Sequence, residues 1–80
     1  MVPHIIIKLW PGKTKAQKQQ LSDAMVRDVK AILGYGDEAV SVAFEEIPPG
    51  EWTSLVYEPE ISAKWSMLTK EPGYGAGRPR

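Results

Sequence analysis

Apolar and β-branched residues crowd the stretch after Pro3: Ile5, Ile6, Ile7 and Leu9, with Trp10 just ahead of Pro11-Gly12. A run of this kind stopped by a turn dipeptide predicts a strand. Ile5, Ile7 and Leu9 fall on one of its faces and His4, Ile6, Lys8 and Trp10 on the other, so the strand is expected to be covered on both sides. Thr14-Lys15-Ala16-Gln17 has the form of a capping box and predicts that a helix begins there. Leu21, Met25, Val29, Ile32 and Leu33 recur at helical spacing and are expected to form one core-facing stripe, with Lys18, Ser22 and Lys30 outside it. Gly34 and Gly36 supply the stop. Ala39 to Phe44 then predicts a second strand, and Pro48-Pro49-Gly50 ends the extended segment.

Two strands joined by a helix of about 20 residues are expected to lie parallel, with a right-handed crossover. Such a pair covered by one helix is not a stable object by itself, so other copies of the chain are expected to complete the sheet. Beyond it, Trp52, Leu55, Val56 and Tyr57 are apolar, Pro59 is placed to start a short helix, and Ile61, Trp65 and Leu68 space as one helical face. Pro72-Gly73 breaks that helix. Residues 1–74 are expected to form a single domain and residues 75–80, poor in apolar side chains, a flexible tail.

Composition narrows the class. A lone chain of 80 residues buries only about 60% of the surface that its unfolded form exposes, so the core should be thin and association a natural remedy. Cysteine is absent, which removes disulfides and thiolate chemistry, and with a single histidine no metal site is expected. No stretch approaches the roughly 18 consecutive apolar residues of a membrane span, and the start lacks the form of a signal peptide. A soluble, cytoplasmic protein with no membrane partner is the expectation. Net charge is zero, but Lys8, Lys13, Lys15, Lys18, Arg27 and Lys30 gather in the first part and all seven glutamates follow Asp37. This dipolar pattern reads as a solvated helix face or as surfaces that meet between subunits. Nucleic acid is not an expected partner, because no recognition motif accompanies the lysines and the neighbouring carboxylates would repel phosphate.

The order of these features carries a resemblance. A proline-led strand, a Pro-Gly turn, one long helix, a second strand ending in Glu46-Ile47-Pro48-Pro49-Gly50-Glu51-Trp52, and a late Lys70-Glu71-Pro72-Gly73-Tyr74 together resemble the 4-oxalocrotonate tautomerase family. The C-terminal segment, with Glu60-Ile61 and the Pro-Gly-Tyr ending, is similar to its short PptA-type bacterial branch. The resemblance covers roughly Pro3 to Tyr74. It implies an α/β fold of the β-α-β tautomerase type, whose parallel strand pair grows to a four-stranded sheet in an oligomer. It also implies an N-terminal proline as general base and no cofactor. Lys13 stands where the family places a carboxylate-binding arginine, and supplies charge without a bidentate fork. Trp52 matches the family's aromatic wall. Ser41 occupies the position of a second substrate-binding arginine, which points to a monoacid rather than a diacid.

One departure bears on the chemistry. Val2 precedes Pro3, so the proline nitrogen is held in an amide, its lone pair is delocalised, and it cannot act as a base as the sequence stands. An early start, trimming of Met1 and then Val2, and lost activity all remain open. His4 is read as a structural or interface hydrogen-bonding residue in preference to a proton carrier, and Glu45-Glu46 as a strand-end pair. The expected function is a keto-enol tautomerase of a small unsaturated or aryl α-keto acid, with Pro3 as base once freed. The alternative is a non-catalytic, oligomeric, small-acid-binding member with a capped proline. A dimer is expected over a hexamer, because the long C-terminal segment carrying Trp65 resembles that of the dimeric relatives.

Overall fold

A computed structural model of the chain describes residues 2–80. It divides into two compact units, Met1–Glu46 and Ile47–Arg80. In the first unit, strand β1 (His4–Leu9) is followed by helix α1 (Lys15–Leu33) and strand β2 (Ser41–Glu46). The strands pair in parallel from His4↔Ser41 to Leu9↔Glu46, which is the β-α-β arrangement expected from the sequence. Two of the local signals act as their chemistry requires. Thr14 accepts from the Gln17 backbone N–H at 3.0 Å, and the Gln17 side chain accepts from the Thr14 N–H at 3.0 Å, so both halves of the capping box are made. Gly34 ends the helix in the left-handed region (φ 79°), and its N–H reaches the Lys30 carbonyl at 3.1 Å.

The helix stripe departs from the expectation. Met25 and Val29 are partly covered together with Lys18, Ser22 and Val26, but Leu21, Ile32 and Leu33 are 46%, 78% and 61% exposed. A 19-residue helix is about 28 Å long, whereas a six-residue strand spans about 20 Å. The last turn of α1 therefore has no strand beneath it. The double coverage expected of β1 is not supplied within the chain either. Ile5, Ile7 and Leu9 are partly covered, while on the other face His4, Ile6, Ser41 and Ala43 are exposed.

The buried apolar side chains of the described residues, Ile47, Val56 and Tyr57, all lie in the second unit. Pro49–Glu51 forms a tight turn that runs into a wide helix, Thr53–Ser62, with Pro59 inside it and not at its start as expected. The Ala63 N–H bonds the Glu58 carbonyl five residues back at 3.0 Å. Such i→i−5 winding is wider than an α-helix, in which a proline ring would collide with the carbonyl one turn earlier. The remainder of the unit is tied by polar contacts. Glu71 accepts from the Trp65 indole at 3.2 Å and from the Arg78 guanidinium at 2.8 Å.

The final segment meets Tyr57. The rings of Tyr57 and Tyr74 lie 5.8 Å apart at 59°, and the Gly77 N–H donates to the Tyr57 hydroxyl at 3.2 Å. Residues 75–77, expected to belong to a tail without packing, thus make specific contacts. Gly75 has φ 81° and passes so close to Tyr57 that a Cβ would collide with its ring. Among the described residues no helix is long and apolar enough to cross a membrane. Gly75→Ala is expected to cost about 1–3 kcal/mol, from backbone strain and the displaced ring together. The midpoint of urea unfolding measures it, and an unchanged midpoint would mean that this segment is not held against Tyr57.

Candidate active site

At the first rung of the sheet the parallel register sets His4 beside Ser41. The Ser41 backbone N–H donates to the Pro3 carbonyl at 3.2 Å, which continues the ladder one step beyond the strand. The Ser41 hydroxyl lies 2.6 Å from His4 Nδ1. Pro3, His4 and Ser41 are therefore one cluster, joined by main chain and side chain. Pro3 is partly covered, and the other two are exposed.

Lys13 belongs to the opposite end of β1. It follows the Pro11-Gly12 turn, in which Gly12 adopts φ 127°, a conformation that a side chain would resist. Lys13 lines a groove of about 250 Å³ with Leu9, Gln17, Lys18, Leu21 and Phe44, between the start of α1 and the ends of the strands. Two cations reach this groove in different states. Lys18 is bound to Glu46 at 2.6 Å, whereas Lys13 has no ion pair among the described residues. An uncommitted ammonium beside Leu9, Leu21 and Phe44 can take the carboxylate of a ligand whose remainder is apolar.

The other site residues singled out in the sequence do not line this groove. Six residue steps separate Pro3 from Leu9, the strand residue in the groove, so the two ends of β1 are about 20 Å apart. One small molecule cannot touch Pro3 and Lys13 of the same chain. Trp52 is half-buried within the second unit, where it lines a cavity of about 260 Å³ with Tyr57, Glu58 and Tyr74. Glu45 and Glu46 are engaged separately, the first with Lys8 at 3.5 Å and the second with Lys18. They form no acid/base dyad. Sequence reasoning did not find Leu9, Leu21 and Phe44 as groove residues, nor the contact between His4 and Ser41, because no local spacing signals either.

The sequence model described as "Tautomerase enzyme" matches residues 3–55. The chain belongs to the tautomerase family. The match opens at Pro3 and spans Lys13, Ser41 and Trp52. A protein of Xylella fastidiosa (strain 9a5c) described as "Probable tautomerase" is 40% identical over 74 residues, covering 92% of this chain and 90% of that relative. "Tautomerase PptA" of Pectobacterium carotovorum subsp. carotovorum (strain PC1) is 35% identical over 74 residues, covering 91% and 97%. Among solved structures, YwhB, described as a homologue of 4-oxalocrotonate tautomerase, superposes with a TM-score of 0.56 at 30% identity. The superposition covers 57% of this chain and 75% of that one. Family membership supports a tautomerase-type function for this tautomerase-family chain.

The groove makes a direct prediction. Charge-assisted hydrogen bonds contribute about 1.5–3 kcal/mol, so Lys13→Ala should weaken binding of a 3-arylpropanoate about 10- to 100-fold. Lys13→Arg should keep binding within a few-fold. Isothermal titration gives both constants, and equal affinity of Lys13→Ala and the parent protein would remove Lys13 from the site.

Proposed function

We propose that this chain is a keto-enol tautomerase of small unsaturated or aryl α-keto acids, with Pro3 as general base once the residues ahead of it are removed. The observation that carries the reading is the uncommitted Lys13 over an apolar groove, in a chain whose family match opens at a proline. A freed prolyl amine can take a proton from the carbon beside a ketone carbonyl and later return it, while Lys13 fixes the carboxylate. With serine and not arginine at position 41, the substrate is a monoacid. Trp52 supplies the aromatic wall that the resemblance implies. No cofactor takes part in this proton transfer.

The separation of Pro3 from Lys13 gives the site a further requirement. Pro3 of one copy works with Lys13 of another, so the active form is an oligomer. Exposed Ile6, Ile32 and Leu33 offer apolar surface for such contact. A dimer is the assembly proposed, with two strands from each chain in a four-stranded sheet. Sedimentation equilibrium should give the mass of two chains, and a mass of six would overturn it.

The Val2–Pro3 amide favours a second reading, a small-acid-binding protein with no turnover. The two separate on one comparison. A chain beginning at Pro3 should enolise an arylpyruvate, read by exchange of its C3 hydrogens into deuterium oxide, at least about 100-fold faster than the chain beginning at Met1. Its enolisation rate should fall as pH drops through the titration of the amine, because protonation removes the base. Equal slowness of the two chains would favour the binder, and equal speed would place the catalyst elsewhere.

A further inference from the structure

Enolisation exchanges protons at two atoms, a carbon and an oxygen, and Pro3 accounts only for the carbon. We infer that His4 is the catalytic residue for the oxygen and that Ser41 is its positioning residue; the inference rests on the proposed keto-enol reading. His4 is the next residue after Pro3, so the prolyl nitrogen and the His4 ring belong to adjoining residues at the same end of β1. Its ring is exposed on the open face of the sheet, and Nδ1 is held at 2.6 Å by the Ser41 hydroxyl. No partner of Nε2 occurs among the described residues. One ring nitrogen is therefore anchored and the other is free to meet substrate. On the same face the next rung is Ile6↔Ala43, and the charged pair Lys8 and Glu45 stands one same-face rung further, so among the described strand residues no carboxylate lies beside the ring on that sheet face.

The proton balance is complete. In enolisation the Pro3 amine takes a proton from the carbon beside the carbonyl, and that C–H electron pair becomes the new C=C bond. The carbonyl π pair moves onto oxygen, which takes the proton from Nε2 of a histidinium. His4 is left neutral with its proton on Nδ1, still donated to the Ser41 hydroxyl. Ketonisation is the reverse, and solvent returns the proton between the two groups. Because a serine hydroxyl accepts from Nδ1–H in both states of the ring, the anchor survives the transfer.

The test uses the chain beginning at Pro3 and the arylpyruvate exchange assay. His4→Gln should lower kcat about 100-fold and leave KM within about three-fold, the size of a general acid's contribution. Ser41→Ala should lower kcat about 10-fold, also with little change in KM, and Ser41→Thr, which keeps the hydroxyl, should restore it to within about three-fold. The serine pair keeps the test open if His4→Gln fails to fold. Undiminished kcat in His4→Gln, or a loss confined to KM, would overturn the role of His4 while the Pro3 reading stands. Equal loss in Ser41→Ala and Ser41→Thr would overturn the positioning role of the hydroxyl. A parent chain no faster than the one beginning at Met1 would remove the base and this inference with it.

Discussion

The parallel pairing of β1 with β2 is the constraint on which the first unit depends. Its register runs over six rungs, from His4↔Ser41 to Leu9↔Glu46. One end of that ladder brings the Ser41 N–H to the Pro3 carbonyl and the Ser41 hydroxyl to His4. Its other end places Glu46 where it binds Lys18 of the helix, which leaves Lys13 as the uncommitted cation of the groove. A slip of one residue would turn each side chain of a strand to the opposite face and undo both clusters. The length of β1 keeps Pro3 and Lys13 at opposite ends of the strand, so any chemistry that joined them would have to join two chains.

Stability follows from how little one chain can cover. Among the described residues the first unit has partly covered apolar side chains but none that is buried, and the second is built around the buried Ile47, Val56 and Tyr57. Polar contacts offer small compensation, because exposed pairs such as Arg27 with Asp28 and Lys30 with Asp37 contribute about 0–1 kcal/mol each. Capping supplies a larger local term of about 1 kcal/mol at Thr14. Apolar surface left open at Ile6, Ile32 and Leu33 is the reserve from which association would draw.

The candidate chemistry is shaped by what each group lacks. Lys13 has charge but no planar fork, so a carboxylate held there would not have its plane fixed. Leu9, Leu21 and Phe44 line one side of the groove, where they would shield such an ion pair from water and strengthen it. Pro3 has the ring of a secondary amine but, joined to Val2, no available lone pair. Ser41 has no charge to offer a second carboxylate, and its hydroxyl is already bonded to His4.

The strand, helix, strand order was legible in the sequence because each signal for it is local. A capping box needs only Thr14 and Gln17, a helix stop needs a glycine that tolerates positive φ, and a turn needs Pro11 and Gly12. The family was legible for the same reason, in the order of short motifs from Pro3 to Tyr74. Which part of the helix stripe is covered was not, since periodicity carries no information on how far the strands extend beneath the helix. Pro59 was misplaced because a proline suits a helix start, and only the winding around it shows that the wide helix passes through. The contacts of Gly75 and Gly77 with Tyr57, the groove at Lys13 and the bond between His4 and Ser41 all join residues 18 or more positions apart or depend on strand register. Local sequence determines which elements form and where they stop; which side chains meet is decided by the register and by the lengths of the elements that pack, and those are properties of the assembled chain.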